Sequence, residues 1–238
     1  MSTTVRSSGS PWGSALVLHL IGRTRLIAPG GDEITLANRK TRAILAVLAL
    51  TSGGTVRRAR IMELLWGDRG ELQARASLRQ ALHELRGALR RYNDGVLRSD
   101  RDTIGLDLCA LVVDVPSTQA AADQTSPTAL ISELEAWCGD LRADLDGLTP
   151  AFDSWLQSQR AARRDDVVAR AMVVIRAAPP GETRREIARL VTQLDPTCEE
   201  AHRIVLEQLR RERGPGAAAA HYAGLERYFC DEFGVSPD

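Results

Sequence analysis

The first half of this chain changes from strand-like to helical hydrophobic patterning and then back again. Short apolar runs come first and predict a small antiparallel sheet with strands at residues 16–21, 25–27 and 34–36. Apolar positions then recur at helical spacing, which predicts helices at residues 39–50, 56–66 and 75–91. Two further runs, 96–98 and 103–106, flank a polar turn and predict a hairpin. Because only a short break separates the second and third helices, this order predicts a winged helix-turn-helix domain.

The third predicted helix carries the strongest functional signal. Its leucines form one buried stripe, at Leu78, Leu82, Leu85 and Leu89. At about 100° per residue, cations fall in a band beside that stripe and Gln80 lies opposite it. The band consists of Arg75, Arg79, His83, Arg86 and Arg90. Glu84 is the one carboxylate of residues 75–91 and points away. A helix face whose charges are all positive suits binding to a polyanion, because guanidinium groups fit phosphate oxygens and guanine edges. The alternative is that this basic face is only solvated.

The second half of the chain is almost wholly helical in pattern. A stretch rich in Pro, Ser, Thr and Ala at residues 115–127 precedes predicted helices at 129–138, 151–177, 182–194, 199–213 and 216–229. The last two helices have the apolar spacing of a tetratricopeptide-type hairpin, with a seam of Ala201, Leu206, Leu209, Ala219, Tyr222 and Leu225. We therefore predict a flexible tail at residues 1–15, a winged-helix domain at 16–116 and an all-α, tetratricopeptide-like domain at 117–238. The fold class is mainly α with a small β component.

The net charge is zero, but the two halves differ in sign. Residues 1–116 hold seventeen Lys and Arg against eleven Asp and Glu, a net charge of +6. Residues 117–238 hold fourteen against twenty, a net charge of −6. Only the first half is therefore expected to face a polyanion.

The sequence offers no chemistry of the kind that enzymes require. It contains no GxxxxGK phosphate loop, GxSxG elbow or HExxH metal helix. Its four cysteines are far apart, without metal-ligand spacing. No apolar run reaches the roughly 20 residues that span a bilayer. We expect a cytoplasmic non-enzyme without a cofactor, a metal site or a membrane partner.

Short motifs in the same order along residues 16–237 resemble the Streptomyces antibiotic regulatory protein (SARP) family. In the first half, they are Leu18–Ile21, Thr35-Leu36 with Arg39-Lys40 and Arg42-Ala43, Glu63-Leu64-Leu65-Trp66-Gly67-Asp68, the run from Ala74 to Leu82, and Val113-Asp114-Val115. In the second half, they are Cys138-Gly139-Asp140-Leu141, Phe152-Asp153-Ser154-Trp155-Leu156, Leu194-Asp195-Pro196 with Glu199-Glu200-Ala201-His202, and Glu232-Phe233-Gly234-Val235-Ser236-Pro237.

The resemblance implies an OmpR-type winged helix followed by a bacterial transcriptional activation domain. Members of the family bind direct repeats in double-stranded promoter DNA, often as side-by-side copies, and recruit RNA polymerase. The same activity and partners, including RNA polymerase holoenzyme and a possible homodimer, are expected for this chain. The ATPase and sensor modules of larger members have no counterpart here, so we expect no nucleotide-driven switch.

The positions of the side chains around the third helix and the family resemblance together give the candidate DNA-binding residues. The third helix should enter the major groove and present Arg79, Gln80, His83, Arg86 and Arg90, where Arg reads guanine and Gln reads adenine. Arg75, near its start, is expected on phosphate. On the hairpin, Arg98 and Arg101 are expected on the minor groove or phosphate, with ordinary turn charges as the alternative. The loop at residues 67–73 resembles the region that approaches polymerase in OmpR-type proteins, or it is only a solvated turn.

Two other functions fit the same pattern. In the first, the chain is an adaptor whose helical half binds a protein and whose winged helix no longer reads DNA. In the second, it is a repressor that senses a small molecule. The basic charge of residues 1–116 favours the DNA-binding regulator over the adaptor.

Overall fold

The computed structural model describes residues 15–92, 94–114, 126–138 and 144–237. The chain divides into two compact units, residues 1–120 with 141–159 and residues 121–140 with 160–238. The predicted flexible tail, apart from Ala15, and most of the predicted linker at 115–127 lie outside the described residues. Each unit is described by itself below.

The first unit opens with a small sheet. Strands β1 (Leu16–His19), β2 (Arg25–Ile27) and β3 (Glu33–Ile34) are antiparallel neighbours, and β7 (Leu111–Val113) pairs with β1 in parallel. The sequence did not predict β7, which is only three residues long. It also predicted β1 two residues too long. That strand ends at His19 because the Asp114 carboxylate accepts hydrogen bonds from the backbone amides of Leu20, at 2.7 Å, and Ile21, at 3.2 Å.

Three helices and a second sheet complete the winged-helix pattern. The helices are α1 (Arg39–Leu50), α2 (Arg58–Trp66) and α3 (Glu71–Leu89). The second sheet has the order β4-β6-β5 and consists of β4 (Thr55–Arg57), β5 (Leu97–Ser99) and β6 (Thr103–Leu106). The predicted hairpin is confirmed. Residues 56 and 57 were predicted in a helix, but they lie in β4, where Val56 is buried and pairs with Ile104.

Helix α3 lies with its leucine stripe inward, as predicted. Leu78, Leu82, Leu85 and Leu89 are all at most 2% exposed. Glu84 accepts a hydrogen bond of 2.7 Å from the fully buried hydroxyl of Thr41 in α1, so this carboxylate is turned away from the arginine side. The helix begins four residues earlier than predicted. The predicted loop at residues 67–73 is therefore too long, since residues 71–73 belong to the start of α3.

Residues 144–159 belong to the core of the first unit. Leu145, Phe152 and Leu156 are buried in the same apolar cluster as α1, α2 and α3. The Thr149 hydroxyl donates to the Leu64 carbonyl at 2.5 Å, which satisfies one of the last carbonyls of α2. The sequence placed these residues with the helical half, because helical periodicity does not say on which core an apolar face packs.

The second unit is all-α. It contains α4 (Pro127–Cys138), most of α5 (Pro150–Ala177), α6 (Glu182–Leu194), α7 (Glu199–Arg213) and α8 (Pro215–Phe233). Helix α6 packs against α4 and α7, and α7 packs against α8. The predicted seam between α7 and α8 is partly wrong, because Ala219 and Tyr222 are exposed. The predicted Leu225 is buried, and Phe229, four residues later, is buried on the same face of α8. Over the residues described, no helix is both long and apolar enough to cross a membrane.

A histidine pair joins α7 to α8. The Nε2 atom of His202 lies 3.1 Å from the Pro196 carbonyl oxygen, so this nitrogen carries the proton and donates it. The Nδ1 atom of His202 then accepts from Nε2 of His221, at 3.0 Å. Burial, together with the nearby His221, holds the pKa of His202 below its ordinary value of 6.5.

We expect the stability of this hairpin to fall with acid. Between the lowered folded-state pKa and 6.5, the unfolded chain binds the His202 proton and the folded chain does not, so the free energy of unfolding rises with pH in that window. His202→Gln should reduce this dependence. The check is a set of thermal melts of both proteins from about pH 5 to about pH 7.5, a range that spans the ordinary histidine pKa. Identical pH profiles for the two proteins would contradict the assignment.

Candidate nucleic-acid interface

The side of α3 opposite its leucine stripe is open to solvent. Every candidate that the sequence placed on this helix is exposed, namely Arg75, Arg79, Gln80, His83, Arg86 and Arg90. A helix that is buried on one side and cationic on the other holds the charged ends of its long side chains in solvent, where a binding partner can reach them. The contact of these residues with DNA stays a prediction.

An open cleft of about 730 Å³ lies where α2, α3 and the β5–β6 hairpin meet. Its apolar lining residues are Ala59, Met62 and Leu78. Its other lining residues are polar and mostly cationic, and they are Arg57, Arg58, Arg75, Arg79, Arg101, Asp102 and Thr103. Of the predicted site residues, the cleft brings together Arg75, Arg79 and Arg101. Gln80, His83, Arg86, Arg90 and Arg98 do not line it.

The arginines of this cleft differ in whether the protein already pairs them. Within the described part of the chain, the side chains of Arg57, Arg79 and Arg101 have no hydrogen-bond or ion-pair partner. Arg58 is half-buried and ties the start of α2 to the hairpin, because its Nη1 donates to the Ser99 hydroxyl at 2.9 Å. Arg75 is paired with Glu71, at 2.5 Å. We therefore distinguish three free arginines, Arg57, Arg79 and Arg101, from the two that are paired.

Three free guanidinium groups around one cleft make a strong site for an anion with several oxygens. Like charges held close together repel, and an anion that binds between them relieves that repulsion. Guanidinium forks also match phosphate oxygens in geometry. A phosphodiester backbone, which carries one charge per nucleotide, meets these requirements.

The hairpin turn is rigid and carries one of these free arginines. Asp100 accepts hydrogen bonds from the backbone amides of Asp102, at 2.8 Å, and Thr103, at 2.7 Å. The bonds from Thr103 are the main reason that the pKa of Asp100 lies below its usual value. Asp100 is thus engaged by the turn itself, and Arg101 and Asp102 both line the cleft. Arg98 differs, because its Nη2 forms an ion pair of 2.9 Å with Asp107.

The cations at the start of α1 have structural partners. Lys40 donates to the Leu65 carbonyl and lies 5.3 Å from the centre of the Trp66 ring; burial lowers its pKa. Arg39 Nε donates to the Asp144 carbonyl at 2.8 Å, and Arg42 Nε lies 2.8 Å from the Asp144 carboxylate. These three side chains fix the end of α2 and the segment after residue 143.

Arg57 and Glu71 were not among the candidate residues predicted from the sequence. Arg57 was predicted in the helix at residues 56–66, whereas β4 places it in the cleft with residues of α3. Glu71 was assigned to a loop, so its pairing with Arg75 was not foreseen. The sequence does carry a signal for the Glu71–Arg75 pair, because Glu and Arg four residues apart on one helix are close enough to form an ion pair.

The described residues hold no metal centre. No group of three or more His, Cys, Asp or Glu among them could hold a metal ion. Burial raises the pKa of the Cys138 and Cys198 thiols, which disfavours the reactive thiolate.

Comparison with known proteins gives two curated relatives, both named regulatory protein AfsR. The AfsR of Streptomyces griseus is 24% identical over 216 residues, which are 87% of this chain and 22% of that protein. The AfsR of Streptomyces coelicolor is 26% identical over 223 residues, with the same two coverages. The predicted resemblance to the SARP family is confirmed. This chain thus spans under a quarter of the length of these SARP-type regulators. No protein-family profile matches the chain.

A solved structure shows the same fold. It is Mycobacterium tuberculosis EmbR in complex with a low affinity phosphopeptide, and the match covers 94% of this chain and 62% of EmbR. The TM-score is 0.59 at 19% sequence identity. The EmbR fold is a winged helix followed by a helical domain, so the predicted fold class is confirmed.

Proposed function

We propose that this chain is a transcriptional regulator that binds double-stranded promoter DNA through α3 and the arginine cleft. The observation that carries the proposal is the set of three free arginines beside the exposed face of α3. Most of the affinity then comes from contacts with phosphates, and the sequence preference comes from base edges in the major groove.

The positions of the side chains suggest different roles for them. The three free arginines, Arg57, Arg79 and Arg101, contact phosphates around the cleft. Arg101 does so from the β5–β6 hairpin. Gln80, His83, Arg86 and Arg90 lie on the exposed side of α3, where Arg suits guanine and Gln suits adenine. Arg98 contributes least, because it is already paired with Asp107.

The finer parts of the proposal follow from the family resemblance. The protein acts as an activator in the cytoplasm, where side-by-side copies bind direct repeats and recruit RNA polymerase holoenzyme. The winged-helix unit holds the DNA-reading surface. The helical unit contacts a neighbouring copy or the polymerase.

The decisive experiment is a titration of the full chain with the promoter region of its own gene at several salt concentrations. With three phosphate contacts per chain, the logarithm of the binding constant should fall with the logarithm of the salt concentration at a slope of about −2.7 or steeper. A mixed-sequence duplex of equal length should bind more weakly, which separates sequence reading from simple charge attraction. Binding that is undetectable, or independent of salt, would refute the function.

A further inference from the structure

The first turn of α3 contains an acid beside the arginine cleft. Glu71 is the first residue of the helix, and its Oε1 lies 2.5 Å from Nη2 of Arg75, one turn later. Both side chains are exposed, at 71% for Glu71 and 55% for Arg75. Arg75 lines the cleft that also holds the free Arg79. A carboxylate thus neutralises one of the cations at the edge of the candidate interface.

Helix stability gives only a small reason for this acid. An exposed ion pair of this spacing stabilises a helix only slightly. An acid in the first turn also interacts favourably with the helix dipole, again by a small amount. Glu71 acts on an approaching phosphate in two ways, because its carboxylate repels the phosphate and is paired with Arg75.

We propose that Glu71 lowers the affinity of this protein for any DNA duplex by holding Arg75 in an ion pair. The inference rests on the proposed function. A phosphate that binds Arg75 meets the charge of the Glu71 carboxylate at the same guanidinium group, so the ion pair offsets much of the attraction that a free Arg75 would supply. Because phosphates carry no sequence information, the effect is the same on all duplexes, promoter sites included.

The test is Glu71→Gln in the full chain, measured by fluorescence anisotropy with a labelled mixed-sequence duplex. Freeing Arg75 adds one phosphate contact, so the variant binds more tightly and its salt slope is steeper by about 0.9. That slope makes its advantage over the wild type shrink about 3.5-fold when salt rises fourfold. In the double variant Glu71→Gln/Arg75→Gln, affinity and slope return to the wild-type values.

A matched control is available on the neighbouring helix. Glu63 pairs with Arg60 at 2.8 Å, both are exposed, and neither lines the cleft. Glu63→Gln makes the same change in net charge and should leave the salt slope as in the wild type. Thermal melts of both variants report the loss of an exposed pair, which is expected to be small and similar for the two.

The possible outcomes separate the inference from the function it rests on. If the wild type binds with the expected salt dependence and Glu71→Gln binds no better, the inference is wrong and the function stands. If the double variant binds as tightly as Glu71→Gln, the acid does not act through Arg75 and the inference is again overturned. If the wild type binds no duplex at any salt concentration, the proposed function and the inference both fail.

Discussion

Replacing Arg57, Arg79 and Arg101 together with glutamine should weaken promoter binding by at least about 100-fold. With a salt slope of about −2.7, counterion release from three phosphate contacts raises the binding constant about 170-fold between about 1 M and about 0.15 M salt, and losing all three contacts removes this factor. These three side chains line one cleft and have no partner among the described residues, so their removal breaks no internal contact that the structure shows. The salt slope should also become shallower by about 2.7.

A control of equal charge distinguishes these positions from the general charge of the unit. Arg23, Arg25 and Arg60 are exposed in the same unit and do not line the cleft. Their joint replacement by glutamine removes the same three charges and should weaken binding far less. If both triple variants lose affinity equally, net charge rather than the cleft determines binding. If the cleft variant binds like the wild type, the interface lies elsewhere.

The helix boundaries show what the sequence could and could not predict. The sequence predicted α1 with its observed ends. In the structure the Asn38 side chain caps the first turn by accepting from the Lys40 amide, and Gly53, with a φ of 73°, suits the turn that follows. The start of α3 was missed for a physical reason. Its first three residues are all exposed, Leu72 by 82%, so no apolar period marks its start.

Pairing between side chains was harder to predict than exposure. A helical wheel placed Arg79 on the open side of α3, and the structure agrees. The wheel could not tell that Arg98 is paired with Asp107, because that contact depends on the register in which β5 meets β6. Nor could it place Arg57 in the cleft, since β4 joins the hairpin through contacts far apart in sequence. Long-range geometry therefore decides which arginines are free.

Phe152→Ala should destabilise the winged-helix unit by about 3–5 kcal/mol, the usual cost of removing a fully buried aromatic ring. Phe152 is 0% exposed, belongs to the cluster that α1, α2 and α3 share, and has its ring centre 5.5 Å from that of Trp155. The sequence assigned this residue to the helical half. The loss should therefore appear in the DNA-binding unit and weaken promoter binding near the melting temperature, although Phe152 lies outside the cleft.

Hydrogen exchange resolves which unit loses stability, which a single melting curve for two units does not. Phe152→Ala should speed amide exchange in α1 and α3. Phe229→Ala, the matched control, removes a nearly buried ring from α8 and should speed exchange in α7 and α8 instead. Faster exchange confined to α6 and α7 in the Phe152 variant would show that residues 144–159 support the helical unit. Faster exchange in α1 and α3 would make this segment part of the winged-helix core, so that a fragment ending at residue 116 would lack a buried part of that core.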